Sequence, residues 1–263
     1  MKEFNLTEES QWACILGGSS GLGLASAKKL ARHGLNICLI HRTRRSKMPA
    51  FEQECIAFRE SGVELKCFNI DALNTDNRAE VTDFFKENNY KLKVLLHSLA
   101  KGNLKPIDPD KNDSLTSADI RLTFEAMALS LYDWSIDFVK AGLFCEYGRI
   151  LSFTSEGSYK SLPNYAAVSS AKAALESITR SLAYELAPHK ITANCIQAGV
   201  TDTESLNLIP GVEAIKEASQ LRNPYQRLTT PADVANVVYL FCKDEANWIN
   251  GVTIPVDGGE HLR

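Results

Sequence analysis

No apolar run in the 263-residue chain approaches the roughly 18–20 residues that a membrane-spanning helix needs. The first ten residues, MKEFNLTEES, hold three glutamates and no apolar stretch, so a secretory signal is not expected there. Neither sign of charge dominates. Lys and Arg number 29 against 32 Asp and Glu, a net charge of −3, which provides no global field for nucleic acid or an anionic membrane. The seven cysteines (14, 38, 55, 67, 145, 195, 242) are odd in number, with no Cys-x-x-Cys pair and no Cys/His spacing suited to a metal. Reduced, mostly buried thiols in a cytoplasmic protein without a metal site are the expectation. There is no internal repeat, no low-complexity tract and no linker.

What is present is alternation. Hydrophobic residues make up 44% and charged residues 23%, an ordinary globular balance, and the length suits one domain spanning 1–263. Short apolar runs at 12–16, 35–40, 63–70, 93–98, 149–153, 191–197 and 252–256 read as strands. Helical patterns lie between them at 22–33, 51–61, 77–87, 117–140, 165–187 and 231–242, with Ser117 as the expected N-cap of the fourth. Strands alternating with helices imply an α/β fold. The expected form is a single doubly wound Rossmann-like domain, a parallel sheet of about seven strands with helices on both faces. A variable stretch at about 202–225 interrupts the rhythm. In such a fold, ligands bind beyond the carboxyl ends of the strands.

Strand one runs into Gly17-Gly18-Ser19-Ser20-Gly21-Leu22-Gly23 and then a helix. Glycines there let the backbone turn tightly beside a pyrophosphate, and free N–H groups at the helix start meet its charge. A glycine turn can also be a mere connection; the strand before it and the helix after it favour a dinucleotide site. After strand two comes His41-Arg42-Thr43-Arg44-Arg45. This turn has no carboxylate for a ribose 2′-hydroxyl and three arginines for a 2′-phosphate, which favours NADP over NAD. A solvated basic turn is the alternative.

Beyond strand five stand Ser152, Ser155, Tyr165 and Lys172. Positions i and i+7 share one helix face two turns apart. Lys172 can therefore reach a nicotinamide ribose, and its ammonium can lower the Tyr165 phenol, which would donate to oxygen charge developing during hydride transfer. A chance Tyr and Lys on an amphipathic helix is the competing view. For Ser152 and Ser155, supporting donors and backbone-satisfied buried serines are equally open.

Together these residues resemble the short-chain dehydrogenase/reductase family, along essentially the whole chain. Gly17, Gly21 and Gly23 match its glycine motif, with Ser19, Ser20 and Leu22 in the same phosphate turn. Asp71 matches the aspartate that contacts adenine. His97-Ser98-Leu99-Ala100 takes the place of the Asn-Asn-Ala-Gly turn, and Ala198-Gly199…Thr203 that of the Pro-Gly…Thr segment. The resemblance implies cofactor contacts from Ser98, Ala100, Gly199 and Thr203. Tyr-x6-Lys, rather than Tyr-x3-Lys, resembles the enoyl-acyl-carrier-protein reductase branch, as do the Pro163-Asn164-Tyr165 approach and the His-Ser-Leu-Ala turn. The position ten before Tyr165 is Ser155, and Tyr159 lies only six before, which looks closer to the NADPH-dependent, single-tyrosine subgroup. Leu16 replaces a usual threonine, and Glu125 falls nearest the helix asparagine of ketone reductases.

The resemblance implies reduction of a trans-2-enoyl thioester in fatty-acid-type metabolism, with NADPH as hydride donor, Tyr165 on the enolate oxygen and Lys172 on the ribose. It also implies a homotetramer. An acidic acyl carrier protein would find a basic rim at Lys101, Lys105 and Arg222. Leu206, Leu208, Ile209, Pro210, Val212 and Ile215 either line an acyl pocket or pack down as a lid. The rival readings are a 3-oxoacyl-acyl-carrier-protein or other carbonyl reductase, and a non-catalytic NADP-binding protein. The 42–47 basic cluster is too short to argue for nucleic acid.

Overall fold

The computed structural model describes residues 11–209 and 211–263. The 1–10 segment and Pro210 lie outside the described residues, as does the Leu208 side chain. Seven strands form one parallel sheet: β1 (Gln11–Leu16), β2 (Asn36–His41), β3 (Leu65–Asn69), β4 (Lys91–His97), β5 (Phe144–Thr154), β6 (Ile191–Ala198) and β7 (Thr253–Val256). Their spatial order is β3-β2-β1-β4-β5-β6-β7. The order reverses between β1 and β4, and a doubly wound sheet opens its binding crevice at such a switch point.

Helices α1 (Gly21–Arg32), α2 (Met48–Glu60) and α8 (Pro231–Phe241) cover one face; α3 (Thr75–Glu87), α4 (Ser117–Phe124), α5 (Ser130–Lys140) and α6 (Ala166–Glu185) cover the other. Side chains along β1 alternate between the two layers. Ala13 and Ile15 join the core beneath α1 and α8, and Trp12, Cys14 and Leu16 join the one beneath α3 and α5. Both layers are apolar, so the strand reads as a continuous hydrophobic run. Leu16, where a hydroxyl was expected, is packed in the second core.

The departures from expectation are local. The N-cap of α4 is Thr116, not Ser117. Its hydroxyl accepts from Asp119 N–H (3.2 Å) while Asp119 accepts from Thr116 N–H (3.0 Å), a reciprocal cap that Ser117 cannot form. The long helix expected over 117–140 is broken by a π-helical turn at Glu125–Leu129. Strand β5 begins at Phe144, five residues early, through a polar stretch where its register against β4 shifts. The 202–225 stretch contains a helix, α7 (Val212–Arg222).

Arg149 is fully buried on β5, yet its guanidinium donates to Phe241 O (2.6 Å), Tyr147 O (2.6 Å) and Lys243 O (3.1 Å). These bonds replace its lost hydration and tie the sheet to the end of α8. Five of the seven cysteines are buried and all seven are free thiols. No helix among the described residues is long and apolar enough to cross a membrane.

Candidate active site

A cleft of about 270 Å³ opens at the carboxyl ends of β1, β2 and β4. It is lined by Gly17, Ser19 and Ser20 of the turn after β1, by Arg42 and Asp71 after β2 and β3, and by Ser98, Ala100, Lys101 and Ala126. Gly17 has φ +80°, and a Cβ there would stand 2.5 Å from Ser98 O. A Cβ on Gly23 would strike Gly17 O. The turn is therefore closed to side chains. No side chain caps α1 at Ser20, and its first turn carries no acid, so the first N–H groups remain available to an anion. Gly21 faces the Thr203 methyl, while the Thr203 hydroxyl accepts from Leu206 N–H (3.2 Å). Leu22 packs partly into the core behind the turn. Gly199 does not line the cleft; it backs closely onto Thr229 and Asp257, and its N–H donates to Val256 O (3.1 Å).

At the far end of β2, Arg42 donates to Asp71 (2.7 Å). Asp71 also accepts from Leu73 N–H, and that bond leads, with Arg42 assisting, in holding its carboxyl below the usual range. One guanidinium and one carboxylate thus mark the end expected to receive an adenosine.

Tyr165 is the residue before α6, set there by Asn164 in the left-handed region (φ 59°). Its ring lies against Gly157, where a Cβ would stand 2.6 Å from Tyr165 Cε1. It also packs against the Ala126, Met127, Val168 and Ala171 cluster, of which Ala126 lines the cleft. Burial pushes the phenol up, partly offset by the Ser155 hydroxyl beside it. Ser155 Oγ is buried beside the phenol, and among the described residues no well-aligned hydrogen bond engages it. A protonated phenol and a neighbouring hydroxyl therefore stand side by side, two groups able to donate to an oxygen that reached them.

Lys172 is buried, and its ammonium donates to Phe153 O (2.6 Å). Burial lowers it to about 8. The expectation that Lys172 lowers the Tyr165 phenol is not met, because burial governs the phenol and the ammonium is turned to the β5 backbone. Ser152 is also displaced from its expected role. It is fully buried one layer down, with Oγ on Cys195 Sγ (3.1 Å) and Thr179 Oγ1 (3.4 Å), so it supports α6 and does not face the cleft.

Two sequence assignments shift by one residue or by one partner. Glu125 is exposed, and Ala126 lines the cleft instead, because the π-helical turn changes the helix phase. Of the basic rim, Lys101 lines the cleft, but Lys105 is paired with Asp113 (2.9 Å) and Asp119 (3.3 Å), and Arg222 with Glu156 and Glu260. His97, unremarked as a side chain in the sequence, is fully buried beside this site. Its Nε2 meets Ser130 Oγ (2.8 Å), and burial, aided by the Lys172 charge, lowers it to about 3.

A glycine cradle with an unblocked helix start lines the cleft, and Tyr165 packs against the cluster that contains the cleft residue Ala126, the arrangement of a nucleotide-binding oxidoreductase. The chain belongs to the short-chain dehydrogenase/reductase family, with residues 17–261 matching the model described as Enoyl-(Acyl carrier protein) reductase. It is 27% identical to the 1-cyclohexenylcarbonyl-CoA reductase of Streptomyces collinus, over 96% of this chain and 87% of that one. It is 25% identical to the 3-oxoacyl-acyl-carrier-protein reductase MabA of Mycobacterium bovis, over 95% and 92%. Among solved structures, the enoyl-acyl-carrier-protein reductase (NADH) of Aquifex aeolicus VF5 superposes with a TM-score of 0.82 at 25% identity, covering 97% and 98% of the two chains.

Proposed function

We propose that the protein reduces the double bond of an enoyl thioester with NADPH. The observation that carries this reading is the placing of Tyr165 at the N-cap of α6 and Lys172 two turns on, with the tyrosine packed against the cluster that holds the cleft residue Ala126 and the ammonium held at Phe153 O. Bound NADPH supplies the hydride. Tyr165 donates to the thioester oxygen as negative charge builds there, which its raised, protonated state suits. Lys172 supplies positive potential beneath that corner and would hold the cofactor ribose. Arg42 would bind the ribose 2′-phosphate, exchanging its bond to Asp71 for a charge-assisted contact.

The second reading is reduction of a 3-oxoacyl thioester. Ser155 favours it, since a second donor beside Tyr165 suits a ketone oxygen, and one relative named above is a ketone reductase. An acidic acyl carrier would dock on the Lys101 side of the mouth, the rim cation that among the described residues forms no internal ion pair. Self-association into the expected homotetramer would draw on exposed apolar side chains such as Leu122, Leu129 and Trp248.

The deciding experiment follows NADPH absorbance with crotonyl and acetoacetyl thioesters, with NADH in parallel. Turnover of the crotonyl substrate with NADPH is the expected result. Turnover of the ketone alone would overturn the first reading in favour of the second.

A further inference from the structure

We propose that Glu176 is the counter-charge that keeps Lys172 protonated, and that Thr154 holds it in place. The inference rests on the reading of Lys172 as the cationic group of the site. Lys172 is an almost fully buried ammonium that, among the described residues, donates to Phe153 O at 2.6 Å and forms no direct ion pair. A buried charge left with so little compensation gives up its proton unless another charge acts on it.

The groups that act on Lys172 come from three packed elements. From β4 comes His97, which is held neutral. From β6 comes Cys195, whose thiol burial pushes up and whose sulfur is engaged with Ser152 and Thr179. From α6 itself comes Glu176. Glu176 is the carboxylate among them.

Its placement is specific. Residues i and i+4 share a helix face about 5–6 Å apart at Cβ. Glu176 Oε1 accepts from Thr154 Oγ1 at 2.6 Å. Thr154 directly follows Phe153, so the end of β5 holds the ammonium by one residue and the carboxylate by the next. Glu176 makes no competing ion pair among the described residues. It is a positioning residue, since it acts through Lys172 and does not line the cleft. With Lys172 already near 8, the lost counter-charge changes its charged fraction at working pH.

The test titrates Lys172 by NMR in protein carrying 13C at lysine Cε, with the resonance identified by its loss in Lys172→Arg. In Glu176→Gln the midpoint should fall by about half a unit to one unit. A one-unit fall from 8 leaves about fivefold less charged amine at pH 8. Thr154→Val should move it the same way by less, Glu176→Asp should restore most of the shift, and Ser177→Ala on the exposed side should leave it unmoved. Should Glu176→Gln fail to fold, Thr154→Val and Glu176→Asp read the same coupling. The alkaline limb of NADPH oxidation should follow the NMR midpoint. A midpoint that stays or rises when the carboxylate is removed overturns the proposal. A midpoint that falls in a protein turning over neither thioester keeps Glu176 as counter-charge and removes the proposed function instead.

Discussion

The turn after β1 and the 202–222 segment flank the same cleft and are fixed by opposite means. The turn is fixed by backbone: Gly17 lies against Ser98 O, Gly23 against Gly17 O, and Gly17 N–H donates to Ile40 O at 2.8 Å. The 202–222 segment is fixed by charge, through Lys47–Glu204 (2.7 Å), Lys216–Asp202 (3.1 Å) and the pairing of Arg222 with Glu156 and Glu260. The first pair is largely exposed and is worth little, and in the second only Asp202 is exposed. Close packing resists displacement, whereas exposed ion pairs exchange readily with water and ligands. The cleft therefore has a floor fixed by close packing and a wall held in part by exchangeable ion pairs.

The sharpest break in that comparison lies where floor and wall meet. Tyr165→Phe removes the phenolic donor without altering the glycine turn. Turnover should fall by about 10²–10⁴-fold while NADPH affinity, read by titration of the bound cofactor's fluorescence, stays within twofold to threefold. A comparable loss of affinity would put Tyr165 in the wrong place. Next come the glycines. Gly23→Ala meets backbone with no room to yield, so NADPH affinity should drop at least about tenfold, as expected when a close backbone approach is forced apart. Gly211→Ala, at the start of α7, meets no atom within 4 Å and should cost only the left-handed backbone penalty of about 1 kcal/mol, read as a small change in melting temperature. Equal effects at the two glycines would erase the distinction between floor and wall.

Arg42→Asp should move coenzyme preference from NADPH toward NADH by about tenfold or more, read as the ratio of kcat/KM values. An unchanged ratio would remove Arg42 from the phosphate end. The smallest expected effect is a slope. His97 sits at about 3 in the folded protein against 6.5 unfolded, so between those values the unfolded chain binds the extra proton. Stability then rises with pH through that window and is lost on acidification, by at most about 1.4 kcal/mol per pH unit from this group. Denaturant titrations of wild type and His97→Gln from pH 4 to 7 should show the slope reduced in the variant.

Most of the fold was legible because its signals are local. Each strand is a short apolar run, each helix has its own periodicity, and alternation of the two permits few sheets. The glycine turn and the Tyr165/Lys172 spacing were legible for the same reason. What escaped was set by partners distant in sequence. Lys105 and Arg222 read as free cations until Asp119, Glu156 and Glu260 are brought beside them. Ser152 and Ser155 are alike in sequence, and only the depth of β5 against α6 separates the buried one from the one beside Tyr165. Thr116 and Ser117 are both fair caps, and the choice falls to whichever lies three residues before Asp119. Glu125 and Ala126 exchanged places because nothing in the local pattern announces a π-helical turn.

That turn has a consequence of its own. One extra residue in a helix advances everything after it by about 100°. Because of this splice, α4 can present one side to α6 while α5 aims Trp134 and Phe138 at the sheet, with Trp134 Nε1 donating to Ala72 O at 2.9 Å. Removing a single residue from 125–129 would restore ordinary winding and swing one of the two faces out of alignment. Insertions and deletions in this chain should be tolerated on the surface of the 202–222 wall long before they are tolerated here.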